Sequence, residues 1–113
     1  MKIPLFKIYW DEEDVEAVSD SIRRGMNWAA GPKILEFEKK ISEYLGSPYV
    51  VTFNSGTSAL NTALLAYGIG KGDEVIVPSF TFIATANAVL MTGAKPVFAD
   101  IEQERYGLDP EDV

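Results

Sequence analysis

Cysteine and histidine are both absent from the 113 residues. Without cysteine the chain has no disulfide framework and no thiolate metal site. Without histidine it loses the commonest metal ligand and the usual general base. Basic charge is also scarce: 10 lysines and arginines stand against 17 acids, for a net charge of −7. The densest basic pairs are only Arg23-Arg24 and Lys39-Lys40. Such a chain repels a polyanion, so nucleic acid is excluded as a partner. No apolar run reaches about 18 residues, and no membrane-spanning helix is expected. The start, Met1-Lys2-Ile3-Pro4-Leu5-Phe6-Lys7, is charged too early for a signal peptide. A reducing cytoplasm is therefore the expected address. Internal repeats, low-complexity tracts and linkers are likewise missing.

What remains is an ordinary globular composition, 47% hydrophobic and 24% charged. The length suits one core, since single domains commonly hold about 100–150 residues. Asp11-Glu12-Glu13-Asp14 predicts a helix start, with Asp11 as N-cap and acids at the positive helix end. Val15, Val18 and Ile22 keep one face apolar, Arg23-Arg24 suit the negative end, and Gly25 supplies the stop. Asn27 to Gly31 reads as a loop. Pro32 opens a second helix, with Ile34, Phe37, Ile41 and Leu45 on one face and Gly46 at its end.

From Tyr49 the period changes. Tyr49-Val50-Val51-Thr52-Phe53 predicts a short strand, followed by a helix through Leu60, Leu64 and Tyr67 that Gly68 closes. Glu74 to Val77 predicts a second strand, stopped by Pro78. A helix over about Phe82–Thr92, ended by Gly93, precedes a third strand at Pro96–Ala99, with Asp100 at its carboxyl end. Alternating strands and helices with continuous apolar strands predict an α/β fold, a parallel sheet flanked by helices. Leu108-Asp109-Pro110-Glu111 announces another helix, with Asp109 as cap and Pro110 at the first position. Its body has no residues, so the chain is expected to be truncated.

Two segments lie where ligands bind in open parallel sheets, beyond the carboxyl ends of strands. The first is Asn54-Ser55-Gly56-Thr57-Ser58-Ala59-Leu60. The first amides of the helix it opens lack internal partners, and with the helix dipole they favour a phosphate. Gly56 lets an anion approach the backbone, and the Thr57 and Ser58 hydroxyls add donors. The same residues also read as a plain helix cap, with Ser55 or Thr57 capping and Gly56 serving a tight turn. The second is Pro78-Ser79-Phe80-Thr81-Phe82-Ile83-Ala84-Thr85, whose aromatics either stack on a planar heteroaromatic ring or pack in the core. Trp28, in its loop, is either a substrate platform or a cover for an apolar helix face. Asp100 approaches the same edge, where turn duty is the simpler reading. No Gly-x-x-x-x-Gly-Lys-Ser/Thr occurs, and no Gly-x-Gly-x-x-Gly follows a strand. Gly68-Ile69-Gly70-Lys71-Gly72 precedes a strand and is more simply a turn.

As a set, these segments resemble the DegT/StrS family of pyridoxal-phosphate-dependent sugar aminotransferases. The resemblance runs through Ile3-Pro4-Leu5, Gly31-Pro32, Phe37-Glu38 and Tyr44-Leu45-Gly46. It continues through Ser55 to Leu60, Gly70 to Pro78, Ser79 to Phe82 and Ala84 to Ala88. It ends with Gly93 to Phe98 and Leu108-Asp109-Pro110. It implies an incomplete aspartate-aminotransferase-like large domain, in which residues 1–113 are amino-terminal helices plus the first three strands. It implies pyridoxal 5'-phosphate as cofactor, a homodimer, and transfer of an amino group from an amino acid to a nucleotide-linked keto-sugar. Gly56, Thr57 and Ser58 match the phosphate-holding turn, and Phe82 matches the ring-stacking aromatic; family members often have Ala where Ser58 stands. The lysine that holds the cofactor covalently, and the acid beside its ring nitrogen, would lie beyond Val113. Lys71 and Lys95 precede strands and stand at the opposite edge. No catalytic residue is therefore expected in this chain. A related sugar dehydratase with histidine in place of that lysine, and a non-catalytic binding module that keeps the turn, are the competing readings.

Overall fold

The computed structural model describes residues 3–25 and 31–113. The chain divides into two compact units, Met1–Val51 and Thr52–Val113.

The first unit is built from local signals. Helix α1 covers Glu12–Arg24, and its N-cap Asp11 accepts hydrogen bonds from the Glu13 and Asp14 amides at 3.0 and 3.2 Å. Asp14 returns the bond by accepting from the Asp11 amide at 3.1 Å, which completes a reciprocal capping box. Arg24 reaches back to Asp20 at 2.7 Å, one helical turn away. Helix α2 covers Pro32–Leu45 and starts on proline. Gly25 and Gly46 end the two helices at φ of 62° and 66°. That left-handed conformation turns the chain out of the helix and is open to glycine at little steric cost. Within α2, Glu36 accepts from Lys40 at 2.9 Å and Lys33 at 3.2 Å. Those two ammonium groups, Lys40 foremost, hold its carboxyl below the usual glutamate range. Neither helix buries a residue, so the apolar stripes at Val15, Val18 and Ile22 and at Phe37 are present but largely uncovered.

The second unit is a β–α–β element with one more helix. Helix α3 covers Gly56–Ala66, strand β1 Glu74–Pro78, helix α4 Ala84–Thr92 and strand β2 Lys95–Ala99. The strands pair in parallel, from Glu74 opposite Lys95 to Pro78 opposite Ala99. A parallel pair needs a crossover, which α4 supplies. Pro78, which has no amide hydrogen to donate, sits at the strand's last position. The core gathers where α4 meets the sheet: Val77, Val89 and Ala94 are buried, with Leu64, Ile69 and Val75 packed against them. Ala86, Ala88 and Ala99 are buried as well; small residues let α3 and α4 approach closely.

Three expectations change. The predicted strand at Tyr49–Phe53 does not form. The sheet consists of β1 and β2, and a segment becomes a strand only through a ladder of hydrogen bonds to another. Apolar β-branched residues confer the tendency to be a strand; the partner confers the strand. The helix expected from Phe82 starts two residues later. Phe82 and Ile83 form a turn in which the Phe82 carbonyl accepts from the Thr85 amide at 3.1 Å, which leaves Phe82 outside the helix. The helix start expected at Asp109 is a turn with capping geometry: Asp109 Oδ1 accepts from the Glu111 amide at 2.9 Å, and its carbonyl accepts from Asp112 and Val113. Among the described residues no helix is long and apolar enough to cross a membrane.

Candidate functional site

Because β1 and β2 are parallel, their carboxyl ends share one edge. Loop 79–83 leaves β1 there for α4, and Asp100 follows β2. The Ser79 amide donates to the Ala99 carbonyl at 2.8 Å and carries the ladder one step past Pro78. The Ser79 hydroxyl donates to Asp100 Oδ1 at 3.4 Å, and the same oxygen accepts from the Ile101 amide at 2.8 Å. Asp100 thus serves the turn, the simpler of its two readings.

The direction of α3 follows from its exit. The turn at residues 67–73 joins its end to the amino end of β1, closed by Ile69 N donating to the Leu64 carbonyl at 3.0 Å and Gly70 N to Asp73 Oδ2 at 2.8 Å. The end of α4 lies against that turn: a methyl group at Gly93 would meet Lys71 N at 3.7 Å, and one at Gly70 would meet the Thr92 carbonyl at 3.6 Å. Both helices therefore end at the amino edge and start at the carboxyl edge. They pack along their length, with Asn61 Nδ2 donating to the Ala88 carbonyl at 3.1 Å. Leu60, Leu64, Val75, Val77 and Val89 line an open apolar groove of about 260 Å³ between α3, α4 and β1.

The first turn of α3 is the most chemically specific feature of this edge. Ser55 is its N-cap, with an extended backbone, and its Oγ accepts from the Ser58 amide at 3.1 Å. Ser58 Oγ donates to Asn54 Oδ1 at 3.1 Å and sits 3.0 Å from Ser55 Oγ. The Ala59 amide donates to the Ser55 carbonyl at 3.1 Å. The amides of Gly56 and Thr57 and the Thr57 hydroxyl are left without a partner among the described residues. A Cβ on Gly56 would meet nothing within 4 Å, so the space over the turn is open. Two free amides, one hydroxyl and the positive end of the helix make a donor set suited to a phosphate dianion. Of the three residues expected to hold such a group, Gly56 and Thr57 present free donors; both donors of Ser58 are engaged in the cap. The two readings of this motif are thus both realised, on different residues.

Phe82 stands at the same edge, in the turn before α4, with 76% of its surface exposed. It contributes nothing to the core, and its ring is free to cover a planar group. Thr81 and Thr85 pair their hydroxyls at 3.2 Å across that turn. Trp28 lies outside the described residues. Lys95 begins β2 and donates to Glu74 at 2.7 Å across the sheet's amino end, and Lys71 lies in the turn before β1; both stand at the edge away from the α3 amides. One participant escaped sequence reading: Tyr106, whose ring centroid is 6.1 Å from that of Phe80 at a tilt of 48°. Only the dipeptide Tyr106-Gly107 hinted at a turn there.

Residues 9–113 match the DegT/DnrJ/EryC1/StrS aminotransferase family. The chain is 38% identical over 100 residues to UDP-2-acetamido-2-deoxy-3-oxo-D-glucuronate aminotransferase of Pseudomonas aeruginosa, covering 88% of this chain and 28% of that protein. It is 40% identical over 111 residues to a GDP-perosamine synthase of Vibrio cholerae, covering 98% and 30%. Among solved structures it superposes on the putative sugar aminotransferase Spr1654 of Streptococcus pneumoniae in its PMP-form, with a TM-score of 0.89 at 34% identity, over 99% of this chain and 28% of that one. The PLP-form of the same protein gives 0.87 at 35% identity, over 96% and 28%. The chain thus spans less than a third of the length of these relatives.

Proposed function

The chain belongs to the DegT/DnrJ/EryC1/StrS aminotransferase family, and on that premise we propose that it forms the amino-terminal part of a pyridoxal 5'-phosphate-dependent enzyme. The enzyme would move an amino group from an amino acid to a nucleotide-linked keto-sugar, in the making of amino sugars or surface polysaccharide, and would act as a homo-oligomer in the cytoplasm. The observation that carries the reading is the first turn of α3. The Gly56 and Thr57 amides and the Thr57 hydroxyl stand free at the edge where Phe82 is also exposed.

These residues fit the cofactor's two ends. The amides of Gly56 and Thr57 would hold its phosphate, aided by the Thr57 hydroxyl. Ser58 would hold the turn itself, through the ring of bonds to Ser55 and Asn54. Phe82 would cover one face of the ring, excluding water from that side and setting its tilt. When bound, pyridoxal phosphate acts as an electron sink at the carbon that exchanges the amino group. The lysine and the ring-nitrogen acid that this chemistry needs would come from residues beyond Val113.

The test is amino transfer from L-glutamate to a panel of UDP- and GDP-linked keto-sugars by an intact enzyme carrying this segment, with the 113-residue chain assayed beside it. Transfer by the intact enzyme and none by the chain, above a blank of free cofactor, is the expected pair of results. Turnover by the chain alone would overturn the assignment of catalysis to residues beyond it. Cofactor-free protein with no transfer to any keto-sugar would overturn the reading altogether.

A further inference from the structure

The segment after β2 is shaped by one carboxylate. Residues 101–108 fold back on themselves: Ile101 and Leu108 pair as an antiparallel bridge, and the Glu102 amide donates to the Gly107 carbonyl at 3.0 Å. Glu102 turns its side chain into the bend it opens. Its Oε2 accepts from the amides of Glu104 at 2.6 Å and Arg105 at 3.0 Å, and its Oε1 from those of Arg105 at 2.8 Å and Gly107 at 3.2 Å. Three consecutive-turn amides thus converge on one anion that the chain itself provides. The Arg105 amide foremost, then those of Glu104 and Gly107, lower the carboxyl's affinity for a proton against the opposing effect of partial burial.

Between two of those amides sits Tyr106, at φ 59°. A bulky side chain rarely adopts this left-handed backbone, which is strained and persists only where the surroundings impose it. Here the flanking amides of Arg105 and Gly107 are both bound to Glu102, which fixes the backbone on each side. The result is that the Tyr106 ring lies 6.1 Å from Phe80. Phe80 is two residues before Phe82, on a loop tied at one end through Ser79 to Ala99 and Asp100 and at the other through Thr81 and the Phe82 carbonyl to Thr85.

We propose that Glu102 is a positioning residue: its carboxylate shapes the 101–108 bend so that Tyr106 braces Phe80, and thereby sets the loop that presents Phe82. The inference rests on the reading of Phe82 as the cofactor-facing aromatic. It explains why a surface loop holds a tyrosine in a strained conformation and why a glutamate turns its carboxylate onto the amides of its own bend.

The test uses an intact enzyme carrying this segment, with pyridoxal 5'-phosphate as probe, and compares Glu102→Ala, Glu102→Gln, Tyr106→Gly and Phe82→Ala. Visible circular dichroism reports the seating of the bound ring, and apoenzyme titration reports affinity. Glu102→Ala and Tyr106→Gly should each reduce the dichroic band and weaken binding about threefold to tenfold, as expected for loss of one or two modest contacts. Glu102→Gln, which keeps one carbonyl acceptor, should recover part of the band. Hydrogen exchange should speed up at Arg105 and Gly107 while the Val77 and Val89 amides keep their protection, which separates loosening of the bend from unfolding. If Phe82→Ala perturbs the dichroism and neither Glu102→Ala nor Tyr106→Gly does, the bracing role is refuted and the pocket stands. If Phe82→Ala also leaves it unchanged, the pocket reading itself has failed.

Discussion

Removing the Thr57 hydroxyl should separate the two roles that coexist in the first turn of α3. In the structure that hydroxyl has no partner among the described residues, so Thr57→Ala removes no hydrogen bond found there. Alanine is also the better helix former, by up to about 0.7 kcal/mol. The variant should therefore be as stable as the parent or slightly more so. Its effect on a bound phosphate should be large, because a hydrogen bond to a charged group contributes roughly 1.5–3 kcal/mol, or roughly ten- to 150-fold in affinity. Ser55→Ala makes the opposite perturbation. Ser55 Oγ accepts the Ser58 amide at 3.1 Å, and loss of such an N-cap costs about 1 kcal/mol of stability. It leaves the Gly56 and Thr57 donors in place, so cofactor affinity should fall much less than in Thr57→Ala. Apoenzyme of an intact protein carrying this segment would be titrated with pyridoxal 5'-phosphate by absorbance, and thermal unfolding of the apo forms followed by circular dichroism. A crossed pattern is expected: Thr57→Ala costs affinity and not stability, Ser55→Ala mainly stability. Should Thr57→Ala bind normally while unfolding earlier, the turn is a helix cap only and the phosphate lies elsewhere.

In the same titration Phe82→Ala should weaken binding by about five- to tenfold, for the loss of one stacking face worth roughly 1–1.5 kcal/mol, without lowering stability, since its ring is mostly exposed; an unchanged affinity would displace it from the pocket. The isolated chain should self-associate, because Leu5, Phe6, Tyr44, Phe80 and Phe98 are among many large apolar side chains left exposed; light scattering over a dilution series checks this, and a monomer that unfolds cooperatively at every concentration refutes it. The Glu102 carboxyl is lowered by its amide partners, so the order it imposes on the bend is complete above the ordinary glutamate pKa and fades as pH falls through the lowered value. Amide shifts of Arg105 and Gly107 followed by NMR should titrate below that ordinary value, and a midpoint at or above it would show that the amides do not hold the anion.

Much of this fold was legible along the chain because its signals act over one helical turn or less. Asp11 with Asp14, Pro32, Gly25, Gly46 and Gly93 each satisfy or terminate backbone groups only a few residues away, so the helix ends they mark appear where the sequence puts them. The turn proposed to hold the phosphate belongs to this class: a serine cap, a glycine and two hydroxyl residues at a helix start are recognisable before any packing is known. Tertiary structure decided what depends on distant neighbours. Tyr49–Phe53 has the composition of a strand and is none, because pairing is a property of two segments and composition supplies only one of them. Phe82 lies in a turn and not in α4, because the bond from Thr85 to its carbonyl closes the chain there. Which donors of the turn are free, Thr57's and not Ser58's, depends on the geometry of the ring through Ser55 and Asn54. Tyr106 met Phe80 only through a bend organised by the Glu102 carboxylate, across 26 residues of sequence from one ring to the other. No local pattern encodes that meeting, since it needs the parallel pairing of β1 with β2 to bring both following loops to one edge.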